Sequence, residues 1–183
     1  MEKYRFLLSG SGGQGIITMA ILLAEAAVIY EGLTAVQSQA YGPEARGGAT
    51  RSDVIISDAP ILFPKVTQPG ILVTLNQSSF MKYGNLLRPG GILLTDSQLV
   101  HASRDLDVRH VCLPLHETVV RELGSAQSLN ICTLGALVGL TGVVRPESVE
   151  NVLARRFPKA VESNRKALAL GLEMATKVRD EIL

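Results

Sequence analysis

Arg5-Phe6-Leu7-Leu8-Ser9-Gly10-Ser11-Gly12-Gly13-Gln14-Gly15 decides how this chain folds. The apolar run of Phe6, Leu7 and Leu8 ends in a loop carrying four glycines. Residues 16–30 follow as an apolar segment with Ile17, Ala20, Ile21, Ala24 and Val28 at helical spacing. The stretch predicts a strand, a tight turn and a helix, with Gly10, Gly12 and Gly15 at G-x-G-x-x-G spacing. Glycine admits a positive φ and lets backbone N–H groups approach a ligand closely. The positive end of the following helix points at the same place, where it stabilises an anion.

Working outward, residues 33–36 read as a short second strand. Residues 38–48 form a loop rich in breakers. Residues 49–57 alternate, with Thr50, Ser52, Val54 and Ile56 on one face, which predicts an antiparallel or edge strand. Asp58-Ala59-Pro60 turns the chain, and further strands are expected at 71–75, 92–95 and 110–113, with a helix at 77–87. The remainder reads as helices over 116–123, 129–140 (capped by Ser128), 146–157 and 158–183. Gly135 and Gly139, four apart, predict a close helix–helix approach, and Val161, Leu168, Leu172, Ala175, Val178 and Ile182 form a stripe on the last helix. Strands alternating with helices imply an α/β fold with a largely parallel sheet.

At 183 residues the chain makes a single domain over 1–183, and with 46% hydrophobic residues and no tryptophan its core is aliphatic. A net charge of +1 without a polybasic run gives no electrostatic case for nucleic acid or an anionic membrane. No apolar stretch is long enough to span a bilayer, and Met1-Glu2-Lys3-Tyr4 lacks a signal pattern. Two isolated cysteines, Cys112 and Cys132, fit a reducing compartment, so a cytoplasmic location is expected.

The glycine turn fits a ligand-free strand–helix corner and a phosphate or carboxylate site equally well. A nicotinamide-dinucleotide site fits less well, because the end of the second strand offers Gln37, Ser38 and Gln39 where such a site places an acid. The loop Tyr41-Gly42-Pro43-Glu44-Ala45-Arg46-Gly47-Gly48 carries more special backbone positions than an ordinary connection requires. Arg46 could meet a phosphate as a bidentate donor, pair with Glu44, or face a partner chain. His110, Cys112 and His116 lack the further ligands of a zinc site, and neither cysteine belongs to an iron–sulfur run. No nucleophile–base arrangement or carboxylate pair stands out, so no catalytic residue is assigned. Asn130 and Asn164 read as structural amides.

Taken together, residues 10–15, residues 41–48, Asn130 with Leu134-Gly135-Ala136-Leu137, and Asn164 resemble the gamma subunit of the 2-oxoacid:ferredoxin oxidoreductases. The form of residues 41–48 is closest to the 2-oxoglutarate and branched-chain types. The resemblance covers essentially the whole chain. It implies a Rossmann-like layered sheet, mostly parallel with some antiparallel strands, and C-terminal helices. It also implies a complex that oxidatively decarboxylates a 2-oxoacid to an acyl-coenzyme A and passes electrons to ferredoxin. The partners would be alpha, beta and delta subunits, in a complex that can itself be dimeric. Thiamine diphosphate would sit between alpha and beta, and iron–sulfur clusters in beta and delta. Coenzyme A is the one cofactor linked to the gamma chain. The residues expected to bind it, or to meet a partner, are Gly10, Ser11, Gly12, Gly13, Gln14, Gly15, Tyr41, Glu44, Arg46, Gly47 and Gly48. A free-standing nucleotide-binding enzyme and a ligand-free assembly module are the competing readings.

Overall fold

A computed structural model describes residues 4–40, 49–102 and 107–182. Six strands, β1 (Tyr4–Ser11), β2 (Thr34–Ala40), β3 (Ala49–Ser57), β4 (Ile71–Thr74), β5 (Ile92–Asp96) and β6 (Arg109–Leu113), form one sheet in the order β2-β3-β1-β4-β5-β6. β1, β4, β5 and β6 run parallel, while β3 is antiparallel to both β1 and β2. The mixed α/β sheet is the one expected, and β3 is antiparallel as its alternation predicts, lying inside the sheet and not at its edge. β2 is longer than its apolar core suggests. Its residues 38–40 pair with Asp53, Ser52 and Arg51, so Ser38 and Gln39 belong to the strand and not to the following loop. Polar bonds hold this extension: Gln37 Nε2 donates to Ser52 Oγ at 2.8 Å, and Ser52 Oγ donates to the Ser38 carbonyl at 3.0 Å.

The helices are α1 (Ile16–Glu25), α2 (Gln77–Tyr83), α3 (Leu115–Leu123), α4 (Leu129–Thr141), α5 (Pro146–Arg156) and α6 (Val161–Ile182). α1 ends in a π-helical turn, Ala26–Tyr30. The period-two alternation of β1 divides the core into two layers. Phe6 and Leu8 pack on the side of α1, α3, α4, α5 and α6, and Leu7 packs on the side of α2 with Leu72, Leu93 and Phe80. α4 is buried from Leu129 to Val138 on every side, which explains its uniformly apolar sequence. Ser128 does not cap it. The helix instead continues from a 3₁₀ turn, Ala126–Ser128, opened by Ser125 Oγ accepting from Gln127 N at 3.2 Å. α6 begins at Val161 and not at Pro158, after a turn in which Ala160 N donates to the Phe157 carbonyl.

Two carboxylates tie α5 to the α1 region. Glu25 receives bonds from Arg155 and Arg156, and Glu31 receives Arg145 N at 2.9 Å and Ser148 Oγ at 2.5 Å at the start of α5. The Arg156 guanidinium is the main cause that holds Glu25 below its ordinary value near 4.5. At Glu31 burial pushes upward, but the bonds from Ser148 and Arg145 outweigh it and the value is again lowered. Carboxyls depressed in the folded state stabilise the fold above the unfolded value and lose that contribution as pH falls through the folded one. The melting temperature should therefore drop below pH about 4.5, and the Glu25→Gln/Glu31→Gln double variant should flatten that acid limb. Melts recorded at neutral and acid pH check this.

Candidate functional site

The glycine corner lies at the C-terminal end of β1. Gly10 and Ser11 still pair with Thr50 and Ala49 of β3. The turn proper is residues 12–15, with Gly13 at φ 91° and Gly15 at φ 71°, left-handed positions that glycine adopts without strain. Gly15 is the N-cap of α1, and its carbonyl accepts from Met19 N at 2.9 Å. The N–H groups of residues 16–18 therefore lie outside the helix's own ladder.

Side chains brace the corner from both layers. Gln14 Oε1 accepts from Ser11 N at 2.6 Å and Gln14 Nε2 donates to the Leu75 carbonyl at 3.0 Å. A Cβ on Gly10 would stand 2.5 Å from that Gln14 oxygen, so the glycine makes room for the brace. Asn76 Nδ2 donates to Ser11 Oγ at 2.6 Å while its own Oδ1 caps α2 through Ser79 N at 2.7 Å. On the other layer Asn130 Nδ2 donates to the Gly15 carbonyl at 3.4 Å and occupies the space a Cβ on Gly15 would need. Gln14 thus stiffens the floor of the corner, and Gly12 and Gly13 form its exposed rim, with nothing within 4 Å of a Cβ built on either.

Beside this corner is a mixed polar and apolar pocket of about 340 Å³ where the first turns of three helices meet: Thr18 of α1, Asn130 of α4 and Asn164 of α6, with Ile131 and Phe157 on its apolar wall. Asn130 and Asn164 are each only 9% exposed. The Asn164 side chain makes no hydrogen bond to another described residue, and its amide is open to the pocket rather than sealed in the core. Read in the sequence as structural, the two asparagines instead share a cavity. The first turns of three helices thus meet at this pocket, where the positive ends of their dipoles converge.

Of the expected site residues, Gly10, Ser11, Gly12, Gly13, Gln14 and Gly15 come together here. Tyr41, Glu44, Arg46, Gly47 and Gly48 lie outside the described residues. The sheet order also explains why the corner fits a dinucleotide badly. β3 separates β2 from β1, so the end of β2 is two strand spacings from the corner, roughly 10 Å.

His110, Cys112 and His116 have other engagements. His110 Nε2 bonds Thr95 Oγ1 at 2.8 Å, and burial lowers its pKa. His116 N donates to Asp96 Oδ2 at 2.6 Å. Cys112 is exposed, whereas burial, with Asp96 adding to it, pushes the Cys132 thiol up to about 12. Iodoacetamide at neutral pH should label Cys112 alone in the native chain and both cysteines in denaturant, since the thiolate is the reactive form. Intact-mass measurement reads the difference.

These features define an α/β domain with a braced, glycine-rimmed corner at the end of its first strand. The pyruvate ferredoxin/flavodoxin oxidoreductase family model matches residues 5–174. The 2-oxoglutarate synthase subunit KorC of Methanocaldococcus jannaschii is 43% identical over 174 residues, covering 93% of each chain. The ketoisovalerate oxidoreductase subunit VorA of Methanothermobacter marburgensis is 34% identical across 96% of this chain but only 37% of its own length. Among solved structures, the keto/oxoacid ferredoxin oxidoreductase gamma subunit of Geobacter sulfurreducens superposes with a TM-score of 0.89 at 43% identity, over 97% of this chain and 98% of that one. The chain belongs to the pyruvate ferredoxin/flavodoxin oxidoreductase family, as a gamma subunit of the 2-oxoacid:ferredoxin type.

Proposed function

We propose that this subunit binds the phosphate-bearing part of coenzyme A at the glycine rim and the adjoining three-helix pocket. Its other role is to help assemble a complex whose redox centres sit on the other chains. The observation that carries this is the pocket beside the glycine corner where the first turns of α1, α4 and α6 meet, with Asn130 and Asn164 on its wall. Backbone N–H groups of Gly12, Gly13 and the first turn of α1 would receive phosphate oxygens. Asn130 would keep the turn in register through Gly15. Arg46 would pair with the anion as a charged donor. Thiamine diphosphate and the iron–sulfur clusters belong in this reading to alpha, beta and delta partners, with ferredoxin as acceptor. The isolated chain is then inactive. The greater identity to KorC than to VorA favours 2-oxoglutarate over branched-chain 2-oxoacids as the substrate of the whole enzyme. No described helix is long and apolar enough to cross a membrane, and a cytoplasmic location completes the reading.

Coenzyme A should raise the melting temperature of the isolated chain, because a ligand that binds only the folded state stabilises it by mass action. Asn164→Ala should weaken that binding by about 1 kcal/mol, the worth of a typical hydrogen bond, while leaving the ligand-free melt nearly unchanged because no internal partner is lost. Titration calorimetry on both proteins checks the pair. No coenzyme A shift in the wild type would leave assembly as the sole role.

A further inference from the structure

The end of the sheet opposite the glycine corner carries a feature that ligand binding does not use. There β3 passes into residues 58–70, where Pro60, Pro64 and Pro69 punctuate a segment without regular structure. The segment is pinned in its middle. Val66 is buried, and its carbonyl accepts from Arg51 Nη2 at 2.7 Å, the same guanidinium that grips Asp53. Its tip is turned outward. Leu62 is 91% exposed and Phe63 59%, more than any other large apolar side chain among the described residues.

Behind Phe63 is a pocket of about 270 Å³ lined by Arg5, Lys65 and Arg88 and by no carboxylate. None of these three cations forms an ion pair among the described residues, although Arg51, Arg145, Arg155, Arg156 and Arg165 all do. Arg88 is held in place: its guanidinium packs across Gly70, where a Cβ would come within 3.2 Å of Nε. Apolar tip and cationic pocket thus stand side by side on a pinned support.

We propose that this end of the sheet is a docking surface for another subunit of the same complex, one that presents an acidic segment flanked by apolar side chains. Its carboxylates enter among Arg5, Lys65 and Arg88, and its apolar groups cover Leu62 and Phe63. A small anion would leave the tip uncovered. A second copy of this chain would set three cations against three across a two-fold axis, because such an interface pairs like patches. The VorA relative, in which the equivalent region is 37% of the chain, shows this domain joined to more protein. Four residues of β1, Phe6–Ser9, separate Arg5 of the surface from Gly10 of the corner, roughly 17 Å at the rise of a strand, so a docked subunit leaves the corner open. The inference rests on family membership and is independent of coenzyme A.

The test uses the co-expressed complex, purified through a tag on this chain, with two variants: Leu62→Ser/Phe63→Ser and Arg5→Glu/Lys65→Glu/Arg88→Glu. Each should cut the partner subunits retained at least tenfold, and wild-type retention should fall at about 1 M salt, where screening shortens to roughly 3 Å. The first variant changes only the projecting tip, so its isolated chain should melt as the wild type does and keeps the test valid if the charge reversal misfolds. Full retention by the tip variant, or by a folded charge-reversed variant, overturns the proposal. So does inorganic phosphate stabilising the wild-type chain through the three cations while retention is unaffected. A wild-type dimer in sedimentation that both variants abolish without losing partners also overturns it.

Discussion

Gly171→Ala should be the most damaging single methyl group that can be added to this protein. An added Cβ would overlap the Cys132 carbonyl oxygen of α4 and stand 2.6 Å from Ala136 N. On the facing helix a Cβ on Gly135 would overlap the Leu168 carbonyl, and one on Gly139 would lie 2.7 Å from the Ala175 Cβ. These obstacles at Gly171 and Gly135 are backbone, which cannot rotate aside as a long side chain can. Nor can α4 retreat, because it is buried from Leu129 to Val138 and touches α1, α3 and α5 on its other sides. Overpacking usually costs about 1–3 kcal/mol, more where backbone must move, and this site belongs at or above the top of that range. For a chain of this length that is a fall in melting temperature of roughly 6–12 °C. A calorimetric scan reads it directly, and a loss under about 1 kcal/mol would show that the two helices separate more easily than their contact suggests.

Gly135 and Gly139 were visible in the sequence as a close-packing signal, because their spacing is a property of one helix. Gly171 was not, because its role exists only when α6 is laid against α4. The same distinction runs through the molecule. The β1–turn–α1 corner was legible from residues 5–15 because strand, glycines and helix are contiguous. The insertion of β3 between β1 and β2 was not, because the alternation of residues 49–57 marks a strand without naming its neighbours, and the bonds among Gln37, Ser38 and Ser52 exist only once β2 and β3 lie side by side. Gln14 was legible as a corner residue, but its two opposed bonds, to Ser11 N and the Leu75 carbonyl, depend on a strand sixty residues away. Asn130 and Asn164 read only as structural amides for a similar reason. What brings them to one pocket is the meeting of α1, α4 and α6 at their N-terminal ends, and nothing local to either residue announces it.

Gly12→Val separates a ligand site from a structural turn, because Gly12 is the one rim glycine with neither a left-handed φ nor a neighbour. At Gly15 a side chain would meet both the φ of 71° and the Asn130 amide, so a loss of function there would be indistinguishable from a damaged fold. At Gly12 an added side chain stands in open space at the rim of the turn. Stability of the isolated chain should shift by less than about 0.5 kcal/mol, as for other exposed substitutions. Binding should suffer heavily, because a phosphate held off the rim forfeits at least one hydrogen bond to a charged group, worth about 1.5–3 kcal/mol. At about 1.4 kcal/mol per factor of ten, the KM of the assembled complex for coenzyme A rises roughly ten- to a hundredfold, with the KM for the 2-oxoacid unchanged. Steady-state kinetics with each substrate varied in turn measures both. An unmoved coenzyme A KM in a folded, assembled variant places the phosphates elsewhere. Loss of the partner subunits instead makes the rim an interface, and the glycines then serve close approach between chains.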